Sequence, residues 1–378
     1  LGHPLAPPIY QTSTFEFSTP EEMMAVFAGT LPGYVYSRYD NPTVAAVERK
    51  LCRLEDGARA LLFSSGVAAI HAAFWSTLAP GDRLLAGRDL YGGTVEMLAH
   101  ILPRQGIEIE RVDLGDHGAT MDALDRRPRA VYLETPTNPR IRVLDVPSIV
   151  EHARAVGVLV IVDNTFATPV LQNPIVWGAD LVVHSATKYL GGHSDIVLGA
   201  AVTAPTVDAD RIEDARRRFG STPDPFAAWL LNRGLMTLSI RIHAQTASAG
   251  LLARRLSEHP KVRHVDYPGL TDDPGHMLAT RIMRGYGGML AFELRGGLEA
   301  AREFMSGLRL IRLASSLGGP ESLISHPATS SHAMISAPER EALGIGDGLL
   351  RLSVGLEDVE DLAADLVTAL AGVGRGGR

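Results

Sequence analysis

The chain has 378 residues, 46% of them hydrophobic, which is enough for a large buried core and for two domains. Charged residues make up 21% and the net charge is −7, with no long run of one sign and no basic patch, so a nucleic-acid partner is not expected. Cys52 is the single cysteine; it reads as a small core residue within a helical pattern, and it excludes an intrachain disulfide and a Cys-based metal site.

Residues 1–40 read as an extended arm. Pro4, Pro7, Pro8 and the Thr-, Ser- and aromatic-rich segment 10–17 break any helical period, and a short helix is expected from Thr19-Pro20-Glu21-Glu22. Segment 33–41 reads as loop. From Pro42 onward Val44, Val47, Leu51 and Leu54 share one helical face, with Gly57 as the stop. Short apolar runs at 60–63, 83–86, 107–112, 130–133, 158–162 and 181–183 then alternate with helical stretches, the texture of buried parallel strands with crossover helices. The expected class is α/β, a mostly parallel sheet with helices on both faces. Segment 224–258 has a long helical composition and leads to a second, smaller α+β domain with strand-like runs at 262–265, 289–294 and 350–354. The expected divisions are an arm (1–40), a large domain (41–238) and a C-terminal domain (239–378). Low complexity is confined to the Gly/Arg tail. No run is apolar enough to span a bilayer and no charged start precedes one, so the expected address is the cytosol, without a membrane partner. Because the first residue is Leu1 rather than Met, native N-terminal residues are expected to be missing.

Open α/β sheets bind ligands beyond the carboxyl ends of their strands. There this chain places Ser64-Ser65-Gly66, Glu134-Thr135-Pro136-Thr137-Asn138-Pro139, Asp163-Asn164-Thr165 and His184-Ser185-Ala186-Thr187-Lys188. This set meets the needs of pyridoxal 5'-phosphate (PLP): a lysine for its aldehyde, an acid for its ring nitrogen, a helix start with hydroxyls for its phosphate, and an aromatic face. Only three lysines occur among the basic residues. Lys50 reads as part of a solvated helix face and Lys261 follows a proline in a polar loop, which leaves Lys188. Asp163 lies one strand–helix–strand unit away, Ser65-Gly66-Val67 offers the helix start, Ser185 and Thr187 offer hydroxyls, and Tyr91 in Tyr91-Gly92-Gly93 offers the ring. Taken singly, Asp163 also reads as a helix cap, Ser65 as an ordinary N-cap and Tyr91 as a loop residue.

The chain resembles the Cys/Met-metabolism PLP enzymes: cystathionine γ-synthase, cystathionine γ-lyase and methionine γ-lyase. The likeness runs from Pro7-Pro8-Ile9-Tyr10-Gln11-Thr12 to Leu350-Arg351-Leu352-Ser353-Val354-Gly355 and is most specific at His184-Ser185-Ala186-Thr187-Lys188-Tyr189 and Gly191-Gly192-His193-Ser194-Asp195. It implies the aspartate aminotransferase-like fold type I. It also implies that Lys188 carries the cofactor and shuttles protons, and that Asp163 pairs with the ring nitrogen. Tyr91 would stack on the ring and assist proton transfer, while Gly66, Val67, Ser185 and Thr187 would hold the phosphate. Tyr36 and Arg38 would reach the phosphate of a neighbouring subunit, giving a homotetramer built of dimers with shared active sites. Arg351, with Ser316 and Asn138, would bind the carboxylate of a small amino-acid substrate. The expected reaction is γ-elimination giving a 2-oxo acid, ammonia and a thiol; γ-replacement on an O-acylhomoserine is the alternative, with β-elimination ranked lower. The chain departs from the subtypes at Ser315, where cystathionine-handling enzymes typically carry Glu, at Gly93, where methionine γ-lyases tend to carry Cys, and at Ser330-Ser331-His332. A dinucleotide-binding oxidoreductase would need a Gly-x-Gly-x-x-Gly turn after the first strand, and none is there. A non-catalytic binding protein would have little reason to keep Lys188, Asp163 and Tyr91 together.

Overall fold

The computed structural model describes residues 4–374 except 332, 334 and 335, so His332 and the Gly/Arg tail lie outside the described residues. All six apolar runs of the first half are strands, within two residues of their expected ends: β1 (Arg59–Phe63), β2 (Arg83–Gly87), β3 (Glu108–Val112), β4 (Ala130–Glu134), β5 (Leu159–Asp163) and β6 (Leu181–Ser185). A seventh strand, β7 (Gly199–Thr203), completes a sheet of order β1-β7-β6-β5-β4-β2-β3. β7 runs antiparallel to both its neighbours, whereas every other pair is parallel. β7 escapes sequence pattern because Gly-Ala-Ala-Val-Thr carries little β-branched or aromatic signal.

Helices cover both faces of this sheet. One face packs Phe63, Tyr132, Ile161 and Val183 against the helices Gly66–Thr77 and Gly92–His100; elsewhere Leu85, Val131 and Val160 pack against the helix Val146–Val156. The segment 224–258 resolves into two helices, Pro225–Leu235 and Leu238–Ser257. The second packs onto a five-stranded sheet made of β8 (Val262–Asp266), β9 (Met289–Leu294), β10 (Arg312–Leu313), β11 (Leu323–Ser325) and β12 (Leu349–Ser353), in the order β10-β11-β12-β9-β8. The buried carboxylate of Asp365, in the helix Val359–Gly372, accepts the N–H groups of Arg309, Leu310 and Ile311 at 2.9–3.0 Å and so ties the approach to β10 to that helix.

Two sequence readings need correction. The Glu48-Arg49-Lys50 stretch is not simply a solvated face: Glu48 accepts Leu62 N–H and pairs with buried Arg216, and half-buried Lys50 donates to Asn232. Lys261 is not a loose loop residue: its amine caps the last helix by donating to Leu370 O (2.7 Å) and Val373 O (2.6 Å), where cations suit a helix C-terminus. In the arm, Thr19 caps the helix Pro20–Phe27 as expected. That helix buries none of its residues, and the loop after it pairs with the arm's start through the Thr14–Tyr36 bridge.

The sheet order matters for function because it brings the ends of β1, β5 and β6 close together. β7 must pass directly behind the start of the helix Gly66–Thr77, and a Cβ on Gly199 would stand 2.1 Å from the Ser65 carbonyl oxygen. That oxygen accepts the first helical hydrogen bond, from Ala69 N. Gly199→Ala is therefore expected to lower the unfolding free energy by about 1–3 kcal/mol, read from the urea midpoint, and to weaken binding of phosphate-bearing ligands. An unchanged midpoint would contradict this account of the contact.

Candidate active site

A cavity of about 500 Å³ opens at these strand ends and is closed on its far side by segments of the smaller sheet. Of the residues predicted from sequence, Ser65, Gly66, Val67, Tyr91, Asn138, Asp163, Ser185, Thr187, Lys188, Ser316 and Arg351 all line it. Tyr36 and Arg38 do not. They lie on the arm, where Arg38 donates to Arg217 O (2.8 Å) and stacks its guanidinium on Tyr39, 4.6 Å from the ring centre. A larger cavity of about 610 Å³ lies near Arg88, Arg140 and Arg142, but its charges largely pair with one another: Arg140 with Asp266, and Arg142 with Asp89 and Asp113. It holds no lysine, so function is better sought in the smaller cavity.

Lys188 follows β6 and donates from Nζ to Ser316 Oγ at 2.7 Å. Burial, together with the positive charge of Arg351, lowers its pKa from 10.5 to about 8. Ser316 itself sits at φ +89°, a strained conformation for a serine, while its carbonyl accepts from Arg351 Nη2 at 3.3 Å. Arg351 projects from β12, is 8% exposed, and donates from Nη1 to Asn138 Oδ1 at 2.9 Å. Its Nε has no partner, and burial lowers its pKa to about 10. A buried guanidinium with unspent donors beside a cavity suits a carboxylate ligand.

Asp163, at the end of β5, is the buried acid. Its Oδ1 accepts Thr165 N–H (3.0 Å) and its Oδ2 accepts the Tyr132 hydroxyl (3.3 Å), yet it makes no ion pair among the described residues. Burial raises its pKa, opposed first by the hydrogen bonds from Thr165, then by His184 and Tyr132. Glu134 stands opposite in the β4–β5 register and accepts Tyr91 N–H at 2.7 Å. Burial and the charge of Asp163 drive the Glu134 pKa well up, so the two carboxyls disfavour each other's ionisation and titrate as a pair. Sequence reading located Glu134 and Thr165 at strand ends without giving them roles; nothing in their spacing signalled the pairing, which depends on strand register.

For the phosphate, Ser65 Oγ is already used to cap Ala68 N (3.1 Å), which leaves the first N–H groups of the helix Gly66–Thr77 at Gly66 and Val67. Thr187 is less available than its position suggests, because its hydroxyl donates to Leu198 O (3.1 Å) and accepts Leu198 N–H (3.0 Å). Tyr91 caps the helix Gly92–His100 and is 46% exposed; a side chain at Gly93 would meet its ring, since a Cβ there would stand 2.5 Å from Tyr91 Cε1.

The arrangement fits PLP on its own chemistry. An unpaired buried carboxylate calls for a cationic ring nitrogen, a helix start offers N–H donors to a phosphate, and a lysine of low pKa stands between them and a buried guanidinium. The lowered Lys188 pKa also predicts a linkage effect in cofactor-free protein. Between about pH 8 and 10.5 the unfolded lysine holds a proton that the folded one has lost, so stability rises with pH across that window. Relative to Lys188→Met, wild type should gain unfolding free energy from the lower to the upper end of the range; a flat difference would mean an unperturbed amine.

The sequence pattern of the Cys/Met metabolism PLP-dependent enzymes matches residues 3–371. An L-methionine gamma-lyase of Pseudomonas deceptionensis is 44% identical over 368 residues, covering 97% of this chain and 92% of that protein. A cystathionine beta-lyase of Lactococcus lactis subsp. cremoris is 43% identical, covering 96% and 93%. The crystal structure of a cystathionine gamma synthase from Xanthomonas oryzae pv. oryzae superposes with a TM-score of 0.92 at 42% identity, covering 97% of this chain and 93% of that one. With its fold, its cavity and these relatives in agreement, the chain belongs to the Cys/Met metabolism family of PLP-dependent enzymes.

Proposed function

We infer that this enzyme carries out γ-elimination on a sulfur amino acid, with L-methionine the leading substrate, releasing a 2-oxo acid, ammonia and a thiol. The reading rests on one observation above others: Lys188 stands in one cavity with Asp163 and Arg351. The L-methionine gamma-lyases at 43–44% identity support the substrate class. So does the charge of the wall. Among the described residues Arg351 is the one guanidinium lining the cavity, enough for a single α-carboxylate, and the side expected to face the γ-substituent carries Ser315 instead of an acid.

Bound PLP supplies an aldehyde that captures the substrate amine and a ring that stabilises negative charge at Cα. Lys188, hydrogen-bonded to Ser316, is the base that takes the Cα proton and moves it within the cavity; with a pKa of about 8 a usable fraction is neutral near neutral pH. Arg351 and Asn138 fix the carboxylate and thereby turn the Cα–H bond toward Lys188. Asp163 keeps a proton on the ring nitrogen, and Tyr91 covers the ring and assists proton transfer. The N–H groups of Gly66 and Val67, with Ser185, hold the phosphate. Tyr36 and Arg38 act from the arm (1–40) on a neighbouring subunit's cofactor, in a tetramer of dimers; the exposed apolar face of Met24 and Phe27 on the arm favours such a contact. The large domain (41–238) then carries the cofactor and Asn138, and the C-terminal domain (239–378) brings Arg351 and Ser316 to the carboxylate.

A γ-replacement reading has its own support in the structural likeness to the Xanthomonas synthase. Products separate the readings. Purified protein with PLP is expected to show a visible absorption band that is lost in Lys188→Ala, and to release 2-oxobutanoate from L-methionine without added thiol. Release only from an O-acylhomoserine, diverted to cystathionine by added cysteine, would establish the synthase instead, and pyruvate from cystathionine would establish β-elimination. A protein that stays colourless with PLP would overturn the cofactor assignment. Arg351→Ala should lower kcat/KM by about 1.5–3 kcal/mol, the worth of hydrogen bonds to a charged group, without removing the visible band.

A further inference from the structure

Behind Asp163, on the opposite face of the large sheet, lies a polar cluster with no part in the chemistry above. Asp163 lies on the face of β5 that carries Ile161, whereas His184 lies on the face of β6 that carries Val182, so the two side chains leave opposite faces of the sheet. Asn164 donates from Nδ2 to Glu55 Oε1 at 2.9 Å. The same Glu55 oxygen lies 2.6 Å from His184 Nε2, and both side chains are completely shielded from solvent. Gln172 Nε2 donates to Asn164 Oδ1 (2.8 Å) and to Thr135 O (2.8 Å), so the cluster spans the ends of β4, β5 and β6. Glu55 ends the helix Pro42–Leu54, which makes that helix the anchor for all of them.

A hidden acid–imidazole pair is costly to bury, and replacing it by apolar groups is often neutral or stabilising. Its presence here coincides with a buried carboxyl of the cavity on the other face. Asp163 is buried, has no ion pair among the described residues, and faces Glu134 across the register. Asn164 follows Asp163 directly in the chain, its N–H bonds Val183 O at 3.0 Å and its side chain is held by Glu55 and Gln172, so the pair fixes the backbone from which Asp163 projects. Asn173 reaches the second Glu55 oxygen at 3.5 Å, and the nearby imidazole of His184 favours the ionised Asp163 carboxylate. His184 Nδ1 has no partner.

We propose that Glu55 and His184 form a positioning pair that acts through the sheet to keep Asp163 ionised and aimed, and so sets how strongly the site prefers a cofactor ring bearing a protonated nitrogen. The inference rests on the PLP assignment and on Asp163 as the partner of the ring nitrogen. A positioning pair of this kind touches neither substrate nor cofactor. It differs from a simple core brace in one measurable respect: a brace supports any ring of the right shape, whereas this pair supports only a ring with a proton to share with Asp163.

The test compares two ligands by equilibrium binding to cofactor-free protein: PLP, and its carbocyclic analogue in which the ring nitrogen is replaced by CH. Wild type is expected to prefer PLP. His184→Gln, whose amide can still donate to Glu55, and Glu55→Gln should each reduce that preference by about tenfold, the equivalent of one pKa unit at Asp163, while affinity for the analogue changes little. Thermal unfolding of each variant establishes that the fold is kept, and the second variant decides the matter if the first does not fold. Equal loss of affinity for both ligands would make the pair a structural brace and overturn the proposal, as would an unchanged preference in both variants. Wild type binding PLP without any preference would overturn the role of Asp163 and this inference with it, whereas wild type that binds no PLP would remove the functional reading itself.

Discussion

A carboxyl held in the interior with no ion pair among the described residues is the constraint around which this protein is organised. Asp163 is 8% exposed, and ionising a carboxyl in such surroundings is strongly unfavourable unless hydrogen bonds or charges offset it. Thr165 and Tyr132 supply the hydrogen bonds, and they can do so because β4, β5 and β6 are parallel and in register, which sets the Tyr132 hydroxyl within 3.3 Å of the Asp163 oxygen. Glu134 works in the other direction, and its own carboxyl is pushed well up by burial and by Asp163. What results is a pair of carboxyls at the floor of a cavity whose basic groups are Lys188 and Arg351.

The opposite pole of the site comes from a different part of the chain. Lys188 and Asp163 belong to the seven-stranded sheet, while Arg351 is on β12 of the five-stranded sheet and Ser316 on the loop between β10 and β11. Neither sheet alone forms this side of the cavity: Nη1 of Arg351 donates to Asn138, which comes from the loop after β4. That loop is braced from both sides, because Arg140 pairs with Asp266 at the end of β8 and Arg142 pairs with Asp89 and Asp113 beyond β2 and β3. Asn138 is thus set by ion pairs to both sheets, and a change in their relative position is transmitted directly to Arg351.

The parallel strands were legible because buried strands are written as short continuous apolar runs, and the residues after each run are where such sheets bind ligands. Lys188 stood out for a chemical reason as much as a positional one. The other two lysines of the chain are each committed elsewhere, Lys261 to the carbonyls of the last helix and Lys50 to Asn232. What sequence pattern could not convey was anything depending on register or direction. β7 reverses without a crossover helix, so no helical pattern announces it, and its alanines carry little strand preference. Glu134 becomes a partner of Asp163 only through the β4–β5 alignment, and Thr187 loses its spare hydroxyl only because Leu198 returns beside it. Arg351 and Ser316 were picked out by family resemblance alone, because their nearness to Lys188 arises from packing between two sheets far apart in sequence.

The lysine and the arginine also define each other. A lysine buried alone would lower its pKa by desolvation; here Arg351, itself buried with an unpartnered Nε, adds a second lowering influence across the cavity. Two cations facing one space are mutually unfavourable until an anion enters, so the site is built to gain energy when a carboxylate arrives. A carboxylate on Arg351 would offset one of the two influences that lower Lys188 and leave the larger, burial, in place. Anion binding at Arg351 and the basicity of Lys188 are therefore linked electrostatically, each favouring the other.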